Sequence, residues 1–129
     1  MQPGRPSPPA GGQIDHQRVR NLAAAAAEVL DAAHSAAARR AAMTLVGGAT
    51  VPLRQTLLAL SSGVGLAEHE APGSATLLVL RGSVRVTAGD DRWDLGEMDL
   101  MEIPARRHQV EALEDAVVLL TVAPGAGSG

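Results

Sequence analysis

Residues 63–82 read GVGLAEHEAPGSATLLVLRG. The run Leu77-Leu78-Val79-Leu80 within this stretch is apolar at every position, so as a strand it has no wet face. Gly82 ends it. Residues Ser83–Ala88 then alternate with period two, up to the turn residues Gly89-Asp90-Asp91. Two strands joined through a glycine read as a hairpin. The same rhythm continues in both directions. Candidate strands are Leu53–Leu60, Leu66–Glu70, Ala75–Arg81, Ser83–Ala88, Arg92–Leu95, Leu100–Ile103, His108–Leu113 and Val117–Val122, separated by Ser61-Ser62-Gly63, Pro72-Gly73, Gly82, Gly89-Asp90-Asp91, Gly96 and Pro104. Many short strands at regular spacing predict a mainly β domain, a sandwich or a barrel, over residues 50–123. Val117-Val118-Leu119-Leu120 repeats the two-sided apolar pattern, so two strands need a cover on their outer face.

Upstream the period changes. Apolar residues at Val19, Leu22, Ala26, Val29, Leu30, Ala33 and Ala37 follow i, i+3, i+4, i+7 spacing. This predicts an amphipathic helix from Ile14 to about Met43, within an alanine-rich segment 13–46. Asp15 is placed to cap its start, and Arg39-Arg40 to suit its negative end. The stripe is narrow and made of small residues, so the helix needs a partner, either the sheet or a second chain. Residues 1–12 hold four prolines and three glycines, and read as a disordered tail, as do residues 124–129.

Composition excludes several functions. The net charge is −3, and a single Trp is the only aromatic residue among 129. Neither a basic field nor base-stacking platforms exist for nucleic acid. There is no cysteine, which removes disulfides, thiolate metal sites and thiol nucleophiles. The start does not read as a signal peptide, and no apolar run is long enough for a spanning helix. The expectation is a cytoplasmic protein without a membrane partner. No G-x-S-x-G, phosphate loop or dinucleotide fingerprint is present.

The first stretch resembles the first signature of the cupin superfamily: Gly63, five residues, His69, then Gly82 at the family's distance. Residues 98–108, MDLMEIPARRH, resemble the second signature, with Asp99, Pro104 and His108 in place. The resemblance covers residues 50–123 and implies a jelly-roll barrel, the double-stranded β-helix of cupins, here behind an N-terminal α-helix. It also implies pairing of two copies as a homodimer. In metal-binding cupins three His and one Glu project into the barrel and hold iron, manganese, zinc or nickel. Here the second His of the signature is Ala71 and its Glu is Ala75. The second signature's opening Gly is Met98, its inner Gly is Arg106, and His108 comes one residue early.

The candidate site residues follow from this. His69 and His108 are the metal candidates, an incomplete pair for a divalent transition metal. Together with Arg81, Met98, Met101 and Arg106 they are also the candidate ligand pocket. Imidazoles without a metal can line a polar cavity, Arg106 can meet an anion at the barrel mouth, and Met98 and Met101 can be pocket wall or core filler. Strand alternation turns Glu68 and Glu70 away from the face of His69. Glu97, Asp99 and Glu102 read as a solvated patch, with Asp99 bonding its own backbone. Trp93 is set on an edge strand. His16 and His34 read as surface residues of the helix. No catalytic residue is identified. The first reading is a small-molecule-binding or structural cupin with a weakened or absent metal site, not an enzyme. The second is a metal-dependent oxygenase or isomerase using His69 and His108. The third is an interaction module acting through its helix.

Overall fold

The computed structural model describes residues 18–69 and 73–124. The described chain forms α1 (Leu22–Ser35), β1 (Arg40–Val46), β2 (Arg54–Leu60), β3 (Gly65–His69), β4 (Gly73–Arg81), β5 (Val84–Ala88), β6 (Asp91–Leu95), β7 (Leu100–Glu102), β8 (His108–Ala112) and β9 (Ala116–Pro124). One sheet runs β1-β2-β9-β4-β7 and the other β3-β8-β5-β6. Their neighbours pair antiparallel. Along most of β2 to β9 the chain crosses from one sheet to the other at each turn, the wrapping of a jelly-roll barrel. The eight strands expected from the turn residues are all present, with ends within two residues of the predicted ones.

Alternation divides the apolar residues between two cores. Leu60, Leu77, Val79, Val84, Val86, Val110 and Val118 fill the space between the sheets. Leu57, Ala59, Val117 and Leu119 point the other way and meet Ala25, Ala26, Val29 and Ala33 of the helix. This second cluster explains why β9 is apolar on both faces. Small alanines let the helix axis lie close to the sheet, and Val29 (2% exposed) inserts as its largest fully buried side chain.

The helix is shorter than its periodicity predicts, and this is a correction. It starts after Asn21, whose Oδ1 accepts from the Ala24 amide at 2.8 Å, the ordinary capping bond. Asp15 lies outside the described residues, as do residues 1–12 and 125–129 of the expected tails. It ends at Ser35, and the chain reverses through Arg39 (φ 60°). Residues 40–46 then form β1 rather than a last helical turn. Ala41, Met43 and Leu45 pack under the helix, while Arg40, Ala42 and Thr44 face the other way, a period of two. Pairing with β2 overrides the helix preference of Ala41 and Ala42. Arg39 still serves the helix end, from outside: its Nη1 donates to the His34 carbonyl at 3.1 Å.

Gly82 has a physical reason. Its φ is +77°, and a Cβ there would lie 2.1 Å from the Asp115 carbonyl oxygen. No helix among the described residues is long and apolar enough to cross a membrane.

Candidate functional site

β8 is buried and exposed in turn, with His108, Val110 and Ala112 on the inner side. His108 is only 4% exposed. Its Nδ1 lies 2.9 Å from the Arg106 carbonyl oxygen. A carbonyl only accepts, so Nδ1 carries a proton, and in the neutral ring Nε2 is the lone-pair nitrogen. The loop before β8 therefore fixes both the tautomer and the plane of the ring.

β3 pairs with β8 through Gly65 and Glu111, Leu66 and Val110, and His69 and His108. Between Leu66 and His69 β3 takes three steps where β8 takes two, a β-bulge. Plain alternation assigns positions 66 and 69 to opposite faces. The extra residue restores His69 to the register position directly opposite His108. Period-two reading of residues 66–70 did not contain this bulge, which leaves no trace in residue type.

On β4, Ala75 is 5% exposed, belongs to the inner core and stands in register with Val122. Ala71 lies outside the described residues. The four positions matched to the signatures thus carry two imidazoles and two methyl groups, and only the imidazoles can ligate. A tightly held first-row metal wants at least three protein ligands, so these residues do not fit one. Among the described residues no group of three or more His, Asp or Glu side chains is placed to hold an ion.

The six expected pocket residues do not converge. Met101 of β7 pairs with Leu77 of β4 and packs against the inner core, and His108 is buried on the same side of β8 as Val110. Arg106 sits exposed on the rim and forms an ion pair with Asp91. Arg81 and Met98 leave the interior altogether. With Leu22, Ala23, Ala26 and Leu80 they line a groove of about 370 Å³ on the outer face, between α1 and β4. Trp93 does lie on an edge strand, β6, and packs against the inner core.

The turn after β6 shows why Met98 is out of place. Its φ is +68°, in the left-handed region that favours glycine, and it stands where the signature has glycine. Backbone bonds hold it there: the Met98 amide donates to the Val79 carbonyl at 2.7 Å, and the Val79 amide to the Asp99 carbonyl at 3.0 Å. Asp99 Oδ2 accepts from the Gly96 amide at 2.8 Å, and Glu97 from the Gly82 amide at 3.3 Å.

A second cavity, about 250 Å³, lies between β1, β2 and β3 and is lined by Arg40, Ala42, Leu58, Leu60 and Leu66. One polar cluster was not foreseen. His34 Nε2 lies 2.9 Å from Asp115 Oδ2, and Asp115 Oδ1 accepts from the Ser62 amide at 2.8 Å. A lone His at a helix end carries no signal that a turn 81 residues later meets it.

No family model matches the sequence, and no curated protein does either. Solved structures do match. A conserved protein of unknown function from Streptococcus pyogenes is 26% identical, with 69% of this chain and 77% of that one covered at a TM-score of 0.62. A cupin superfamily protein from Desulfitobacterium hafniense is 22% identical, with 66% and 77% covered and a TM-score of 0.61. KdgF from a Halomonas species is 19% identical, with 69% and 83% covered and a TM-score of 0.56. The jelly-roll wrapping, the paired signature strands and these neighbours agree: the chain has the fold of the cupin barrels it resembles.

Proposed function

We propose that this chain is a small-molecule-binding protein built on a cupin barrel, with the His69–His108 end as its polar contact and without a tightly held metal. The observation that carries this reading is His108. A side chain that carries a donor and an acceptor is sunk to 4% exposure in an apolar interior, oriented by a backbone carbonyl and in direct register with a second histidine. The setting suits a small ligand that places a polar group beside the two histidine positions and buries an apolar body. The 250 Å³ cleft supports this, because its lining residues Leu58, Leu60 and Leu66 pack into the same inner cluster as His108's strand.

The register of His69 with His108 also favours the metal-dependent enzyme as a second reading, and one experiment separates the two. Metal content is measured on protein purified without a chelating tag, and small molecules are screened by thermal shift. The expected result is metal far below one equivalent, together with ligands that raise the melting temperature of the wild type but not of His108→Asn. Near one equivalent of metal, removed by His69→Ala, overturns the proposal and puts the enzyme first.

A further inference from the structure

We propose that the outer-face groove between α1 and β4 is a second binding site, separate from the barrel interior, for an aliphatic monocarboxylate. The walls are Leu22, Ala23 and Ala26 of the helix, Leu80 of β4 and Met98 of the β6–β7 turn, around about 370 Å³. That volume is within the range of small-molecule sites. Leu78, half-buried, and Leu100, 66% exposed, extend the apolar surface past β4. Two observations point to a ligand. Arg81 lies at one end, and its guanidinium makes no hydrogen bond or ion pair among the described residues. Met98 is 68% exposed and held with positive φ at the groove's edge. A left-handed conformation is unfavourable for a side-chain-bearing residue, and such outliers gather where a site needs them. Here the strain presents a long apolar side chain to the groove instead of the glycine the turn prefers.

One cation at the end of an apolar channel selects one anion on an apolar tail. The carboxylate takes the planar fork of Arg81, and the chain lies along Leu80, Ala26 and Met98. Glu97 brings an opposing charge to the neighbouring residue, fixed by its bond to the Gly82 amide. It weakens the site without filling it.

The test is an NMR titration of the full chain with octanoate and with octanol, followed at the Ala23 and Ala26 amides and the Met98 methyl. Octanoate is expected to bind saturably and about fivefold more tightly than octanol, the upper range for an exposed charge pair. Arg81→Gln should erase that difference and leave octanol unchanged. Glu97→Gln, which keeps the acceptor for Gly82, should tighten octanoate alone. Ala23→Trp, at an exposed helix position, should weaken both by filling the groove. The proposal fails if octanoate gives no saturable shift at these positions, or if its advantage over octanol survives Arg81→Gln. It fails equally if sedimentation shows a second copy covering Met98 that octanoate does not displace.

Discussion

Gly82 and Met98 have similar backbone angles for opposite reasons. Both lie in the left-handed region, at +77° and +68°. At Gly82 any side chain would also strike the Asp115 carbonyl. Gly82→Ala is therefore expected to lower stability by at least about 2 kcal/mol, the left-handed penalty plus the clash. Met98 is exposed and meets no such wall. Met98→Gly is expected to raise stability by about 0.5–1 kcal/mol, as relief of strain outweighs glycine's added unfolded-state entropy. Urea unfolding of the two variants measures both, and equal signs would refute the account. The glycine was legible, because a motif marked it. The role of Met98 was not, since residue type alone does not show that a position needs positive φ. Nor does it show that a turn residue faces the helix side of the sheet.

The helix is docked at the level of whole elements. Its inner stripe covers Leu57, Ala59, Val117 and Leu119, and its last turn is tied to the β8–β9 turn by His34 and Asp115. Val29→Ala is expected to cost about 2 kcal/mol, the value of burying that side chain, read as a shift in the urea midpoint. The Ser62 amide, and after it His34, hold the Asp115 carboxyl below its ordinary value. Arg85 does the same to Asp94 across β5 and β6. A carboxyl depressed on folding binds protons more readily in the unfolded chain. Its contribution is complete above the ordinary carboxylate range near pH 4, and is lost as pH falls through the depressed value. Asp115→Asn should therefore be less stable than wild type at pH 7, with the gap closing as pH falls below the ordinary carboxylate range. A gap that persists in acid would show that the carboxylate's charge is not what ties the helix down. The helix existed in the sequence as a period. Its end did not, because residues 36–46 carry alanines and arginines that favour a helix, and only pairing with β2 overrides that preference.

At the scale of the molecule the barrel brings together positions that lie far apart in sequence. His69 stands in register opposite His108 across β3 and β8, and Ala75 lies inside the core between the sheets, bonded through its carbonyl to the Ile103 amide just after β7. The turn residues made this wrapping readable, since eight of the nine strands stood between recognisable breaks. The positions of the signatures made the site's location readable too. What remained hidden was the bulge that sets His69 in register, and the split of Arg81 and Met98 from the interior. If the barrel has kept its metal-binding geometry and lost only the donors, restoring them should restore the metal. Ala71→His combined with Ala75→Glu supplies the two missing ligands and makes a set of three imidazoles and one carboxylate. The double variant is expected to be less stable than wild type without metal, because a carboxylate replaces a methyl at a position 5% exposed. It should regain stability with one equivalent of cobalt(II), which also gives visible absorption from the bound ion, and His108→Ala in that background should abolish both. Cobalt that binds the double variant no better than the wild type would mean that the strands around His108 no longer hold the spacing of a metal site.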